Sequence, residues 1–121
     1  MNRRKTLKRE YKENPPPPGI FQIKNLVTGK IFIGCGMDVR GKINSHRAQL
    51  QMGVLRNQAL QGDWNTYGAE QFSFEVLDCL DPGTDSIEKQ REDLTTLIGL
   101  WLEKLQPYGE RGYNQPPKPR S

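Results

Sequence analysis

The run from Ile20 to Ile33 constrains this chain more than any other feature. Ile20-Phe21-Gln22-Ile23-Lys24-Asn25 and Ile31-Phe32-Ile33 are rich in β-branched and aromatic residues. Between them lies a turn segment, Val27-Thr28-Gly29-Lys30. Two such flanks around a Gly-bearing turn read as a β-hairpin by pattern and by turn chemistry. Gly19 opens the first strand and Gly34 closes the second.

The residues after the hairpin supply its cover. Asp38 is a plausible N-cap for a helix ending before Gly53, with Val39, Ile43, Leu50 and Met52 as its apolar positions. A second helical segment runs from about Leu55 to Tyr67, with Leu55, Ala59, Leu60 and Trp64 spaced for one face and Gly68 as its stop. Phe72-Ser73-Phe74-Glu75-Val76-Leu77 alternates apolar and polar and reads as a third strand, followed by a turn at Asp81-Pro82-Gly83. Ser86 or Asp85 caps a long helix from about Ile87 to Leu105, terminated by Pro107. Leu94, Leu97, Ile98, Trp101, Leu102 and Leu105 form its apolar stripe. The order is β-β-α-α-β-α, an α+β fold with a three-stranded antiparallel sheet flanked by helices.

Composition sets the boundaries of this domain. The 121 residues suffice for one domain with a modest core, and a mean hydropathy of −0.80 means the apolar residues are concentrated in few elements. No apolar run approaches the length of a membrane span, and no apolar segment follows the basic N-terminus, so neither an anchor nor a secretory signal is expected. Cys35 and Cys79, with a single His and no CxxC, do not make a zinc site; two reduced thiols in a cytoplasmic protein are expected. Cys35 reads as an ordinary buried or half-buried thiol.

The charge is uneven. Residues 1–14 carry six basic side chains (Arg3, Arg4, Lys5, Lys8, Arg9 and Lys12) against two glutamates, while the remaining twelve basic and twelve acidic residues cancel. Such an arm seeks phosphates and adds salt-dependent, sequence-blind affinity for nucleic acid. Pro15 to Pro18 form a stiff spacer. Residues 1–18 are therefore arm and spacer, 19–114 the folded domain, and 115–121 a Pro-rich tail.

An ordered string of motifs extends the reading. Gly19-Ile20-Phe21 and Phe32-Ile33-Gly34 are followed by a helix carrying Lys42 and His46. Then come Asn57, Trp64-Asn65-Thr66-Tyr67-Gly68, an aromatic strand, a Trp-bearing helix and Gly112-Tyr113-Asn114. This string resembles the homing-endonuclease-like branch of the GIY-YIG nuclease superfamily over roughly residues 19–114. The resemblance implies metal-dependent hydrolysis of a phosphodiester, with nucleic acid, DNA above all, as the partner. It also implies site positions. The two family Tyr residues fall on Phe21 and Phe32, the helix Arg on Lys42, a His or Tyr one turn later on His46, and the metal-holding Glu on Ile98.

Only His46 is of a residue type the family uses there. Phe21 and Phe32 keep the rings and lose the hydroxyls. Lys42 keeps the charge without the planar fork that grips phosphate oxygens. Ile98 removes the expected anionic ligand for Mg²⁺ or Mn²⁺. Losing one proton-transfer or charge-stabilising group costs roughly 10²–10⁴ in rate. The expectation is a nucleic-acid-binding protein with a weakened hydrolytic site. Arg40, Lys42, Arg47 and Asn57 are its candidate nucleic-acid contacts. Two rivals stand beside it. One is an active endonuclease whose site is rebuilt from His46, Asn57, Tyr67, Glu88 or Glu92; the other is a protein-interaction module using the Pro-rich ends.

Overall fold

A computed structural model describes residues 17–81 and 86–117 of the chain. The basic arm from Arg3 to Lys12, the first half of the proline spacer, the Pro82-Gly83 turn, Asp85 and the end of the tail lie outside the described residues. The elements are β1 (Gly19–Asn25), β2 (Ile31–Gly36), α1 (Val39–Met52), α2 (Gln58–Tyr67), β3 (Phe72–Cys79) and α3 (Ile87–Leu105). Single 3-10 turns at Ala69–Gln71 and Gly109–Arg111 complete the order. This is the α+β class and the β-β-α-α-β-α sequence of elements read above. Among the described residues no helix is long and apolar enough to cross a membrane.

The sheet is antiparallel throughout, in the order β2-β1-β3, so the first strand lies in the centre. β1 earns that place by being apolar on both faces: Ile20, Phe21 and Ile23 are all fully buried. Its register with β2 sets Phe21 opposite Gly34 and Ile23 opposite Phe32, and places Ile20 opposite Cys35 and Gln22 opposite Ile33. Side chains alternate across a strand, so these pairs sort onto two faces. α1 and α2 cover the Phe21 face, packing Val39, Ile43, Leu50, Leu60 and Trp64 onto Phe21, Ile23 and Phe72. α3 covers the Ile20 face, where Leu94 is buried with Ile20 and Ile33, and Leu97, Ile98, Trp101, Leu102 and Leu105 pack around them. Alternation from Phe72 and Phe74 puts Leu77 in the α3 layer, and a bulge between Ile20 and Phe21 in the pairing with β3 turns Asp78 to the same side, where its carboxylate accepts from Trp101 Nε1 at 3.1 Å.

Capping follows side-chain chemistry. The carboxylate of Asp38 accepts from Gly41 N at 2.9 Å, the Asn57 amide oxygen from Leu60 N at 3.1 Å, and Ser86 Oγ from Lys89 N at 3.2 Å. Gly53 ends α1 with φ 76°, a left-handed conformation that glycine adopts without a side-chain clash. The second helix starts later than its pattern suggested. Asn57 caps it, and Leu55 is buried in the preceding connection, its N–H bonded to Gln61 Oε1 at 3.0 Å. Met52 is not a core residue but 74% exposed, because it lies two residues beyond Leu50, about 200° around the helix. Ala59 is also exposed, about 100° from buried Leu60.

The residues behind α3 do more than extend. Gly112 bridges Ile31 along the free edge of β2, and Tyr113 N donates to Ile31 O at 2.9 Å. Asn114 then closes on one β2 residue from both sides: Ile33 N donates to its Oδ1 at 2.9 Å, and its Nδ2 donates to Ile33 O at 2.8 Å. A Cβ on Gly112 would sit 2.4 Å from both Ile31 O and Pro107 O, so close approach requires glycine here. The edge is thereby paired along Ile31 and Ile33.

Candidate functional site

His46 stands over the Phe21 face of the sheet and packs against two neighbouring phenyl rings. Its ring centroid lies 5.1 Å from Phe21, edge to face, and 5.5 Å from Phe32, with 6.1 Å between the two phenyl rings. The cluster forms because Phe21 and Phe32 project from neighbouring strands on the same face and α1 crosses above them. Gly34 makes room: a Cβ there would fall 2.4 Å from Phe21 Cζ. Three of the expected positions therefore meet. Lys42 adjoins them one turn earlier on α1, its Cβ set so close to Gly36 that a side chain at residue 36 would approach to 2.9 Å.

The tautomer of His46 follows from its partner. Nδ1 lies 3.0 Å from Lys42 O, and a carbonyl can only accept, so Nδ1 carries the hydrogen and Nε2 keeps its lone pair. Burial between the rings pushes the imidazole below its ordinary pKa. The Lys42 charge acts in the same direction, and the carbonyl hydrogen bond opposes both. At neutral pH the ring is uncharged, with Nε2 available to accept a proton. Half-buried Cys35 is pushed the other way: burial raises its pKa and the Lys42 charge only partly offsets this, so the thiol stays protonated and is a poor nucleophile.

The basic residues of α1 do not form one patch. At about 100° per residue, Lys42 and His46 lie on one flank of the buried Val39-Ile43-Leu50 stripe, and Arg40 and Arg47 on the other. Arg47 is held in place, its guanidinium 4.5 Å from the centroid of the Phe74 ring on β3. Asn57 is committed to structure, capping α2 through Oδ1 and donating from Nδ2 to Tyr113 O at 2.7 Å.

Ile98 is separated from this cluster by the sheet. It packs in the α3 layer with Ile20, Ile33 and Leu94, whereas the His46 cluster occupies the opposite face. Glu88 and Glu92 are exposed on α3, and Tyr67 is at the exposed end of α2. Among the described residues no group of three or more His, Cys, Asp or Glu side chains converges where it could hold a metal ion. A hard divalent cation needs oxygen ligands, which Phe21, Phe32, neutral His46 and Ile98 do not offer, so the residues present do not fit Mg²⁺ or Mn²⁺.

Pattern reading missed a polar network at the other end of the cluster. Buried Asn25 donates to Tyr113 Oη at 3.1 Å, and Tyr113 Oη donates to Asp63 at 2.7 Å. The Asn25 side-chain oxygen Oδ1 accepts from Val27 N and Thr28 N and shapes the hairpin turn. Burial chiefly, with Asp63 adding to it, pushes the Tyr113 hydroxyl to about 12, so it remains a donor. The Gly112-Tyr113-Asn114 string carried a signal in the sequence, but its partners lie up to 88 residues away.

A three-stranded antiparallel sheet in the order β2-β1-β3, with two helices on one face and a long third helix on the other, is a GIY-YIG-like fold. The chain is similar to the catalytic domain of the homing endonuclease I-TevI, with TM-score 0.64 and 24% identity over 80% of this chain and 96% of that one. A point variant of the same intron endonuclease domain gives TM-score 0.65 and 23% identity over 81% and 92%. At this identity the likeness is one of fold. No protein-family model matches the chain, and no curated protein matches it significantly.

Proposed function

We propose that this chain is a cytoplasmic nucleic-acid-binding protein, with DNA as its partner, in which a phosphodiester-hydrolysing site on a GIY-YIG-like scaffold is weakened. One observation carries the reading: the only titratable ring of the cluster packs against two rings without hydroxyls, while the expected carboxylate position holds an aliphatic side chain in the opposite layer. The similar solved structures are endonuclease catalytic domains, which supports a nucleic-acid role on this fold.

Hydrolysis needs a proton acceptor and stabilisation of phosphate charge. His46 Nε2 supplies the first and Lys42 one point charge toward the second. Nothing in the cluster adds the charge of a cation held on carboxylates. Each missing group costs roughly 10²–10⁴ in rate, and such losses do not simply add. What remains suits binding: α1 carries Arg40, Lys42 and Arg47 and no acidic side chain, and the N-terminal arm carries the whole net positive charge.

Incubating the full chain with supercoiled plasmid and Mg²⁺ or Mn²⁺, beside a His46→Ala variant, tests the weakened site; titrating labelled DNA at two salt concentrations tests binding. The expected result is salt-dependent binding with at most traces of nicking. Multiple-turnover, metal-dependent nicking lost in His46→Ala would replace this reading with an active endonuclease. No binding at low salt would remove the nucleic-acid reading altogether.

A further inference from the structure

The outward side of α1 is shaped for a groove. Over the first ten residues of the helix, Gly41, Asn44, Ser45 and Ala48 lie opposite the buried stripe, all small or short and uncharged, and the last three are exposed; the larger, exposed Met52 follows on this side only at the C-terminal end. On either side of this crest stand the cations, Lys42 on one flank and Arg40 with Arg47 on the other, about 140–160° apart around the axis. Arg40 and Arg47 are seven residues apart in sequence, about 10 Å along the helix, close to three base-pair rises of 3.4 Å. The Arg47 guanidinium lies 4.5 Å from the centroid of the Phe74 ring on β3, which anchors it at the base of its flank. Pro17, the first described residue, lies at the N-terminal end of this helix, where Val39 N donates to Pro17 O at 3.2 Å.

Resting on the nucleic-acid reading above, we infer that α1 enters the major groove of duplex DNA, with Lys42 on the phosphates of one strand and Arg40 and Arg47 on those of the other. A helix with its side chains is about 10–12 Å across, which matches a major groove about 12 Å wide and not a minor groove of about 6 Å. The small crest lets the helix approach the base edges, where Asn44 and Ser45 are the groups able to hydrogen-bond. A solvated basic face has no need of an uncharged, small-residue ridge between its cations; a groove-filling helix does. A single strand lies along one flank only and meets one or two of the three cations.

The test uses the full chain, with a duplex and either of its single strands, across a salt series. Binding to duplex is expected at least tenfold tighter than to single strand, and methyl green, a major-groove ligand, competes whereas the minor-groove ligand netropsin does not. On duplex, Lys42→Ala and Arg40→Ala each reduce the slope of log affinity against log salt by about 0.9, and the pair by about 1.8. On single strand the pair loses no more than the worse single variant. Ala48→Glu, at an exposed position, weakens duplex binding at least tenfold with an unchanged melting temperature, and the Arg40 and Lys42 variants keep the test open if it misfolds. Equal affinity for duplex and single strand, or netropsin competition, overturns the groove assignment while leaving nucleic-acid binding intact. Preference for duplex RNA overturns the DNA assignment. Absence of any binding at low salt is the failure of the reading beneath.

Discussion

Gly34→Ala tests the seating of the aromatic cluster. Gly34 has no left-handed φ, so alanine meets no backbone penalty, and Gly→Ala at a compatible position stabilises by about 0.4–1 kcal/mol. The side chain itself has nowhere to go. Its Cβ would lie 2.4 Å from Phe21 Cζ and 2.7 Å from Cε1, where carbon atoms prefer about 3.5–4.0 Å. The Phe21 ring must shift by about 1 Å, yet it is fully buried, with His46 and Phe32 packed against it. Overpacking of this kind costs about 1–3 kcal/mol, which in a domain of this size lowers the melting temperature by roughly 4–8 °C per kcal/mol. Thermal and urea unfolding followed by tryptophan fluorescence measure the loss. Phe21→Leu removes Cζ, so the double variant recovers part of the Gly34→Ala cost, with a coupling of about 0.5–3 kcal/mol. Melting of Gly34→Ala at or above the wild-type temperature, or strict additivity in the cycle, would refute the packing argument.

Three further outcomes are expected. With a folded pKa below that of the unfolded chain, His46 leaves stability whole above about pH 6.5. It then erodes stability as the pH falls toward the folded value, by well under the ~1.4 kcal/mol per pH unit of a full proton because the ring is half open to water. As the only histidine in the chain, it is isolated by His46→Phe, whose urea midpoint should be flat between pH 7 and 5.5 where the wild type declines. Ile98→Glu places a carboxyl in the apolar layer beneath α3 and should cost about 1–3 kcal/mol, more at pH 7 than at pH 4, without restoring Mn²⁺-dependent nicking even beside Phe21→Tyr and Phe32→Tyr. Wild-type stability with restored nicking would show that this position does reach the cluster. Asn114→Leu leaves Ile33 N and O without their partner and should cost about 1–3 kcal/mol, with faster amide exchange at Ile33; unchanged exchange there would contradict the clamp.

Local chemistry decided much of this protein from the sequence alone. The hairpin, the cap at Asp38, a cap at Ser86 (one of two candidates), the stop at Gly53 and the α3 stripe rest on interactions between residues a few positions apart and formed where the pattern stood, whereas α2 begins after an Asn57 cap and not near Leu55. Arg40, Lys42 and Arg47, grouped in the sequence as contacts of one kind, stand on two flanks of α1. Met52 and Ala59 were misplaced because apolar residues near the ends of a pattern need not face the core.

Tertiary structure decided what long separations bring together. Which strand became central, which face α3 covers, and hence that Ile98 is parted from His46 by the sheet, depend on how whole layers stack. The Asn25-Tyr113-Asp63 network and the closure of Asn114 on Ile33 join residues 50 to 88 positions apart. No periodicity in a chain encodes such pairs, because each forms only after the sheet and both helical layers have fixed the geometry that makes its hydrogen bonds possible.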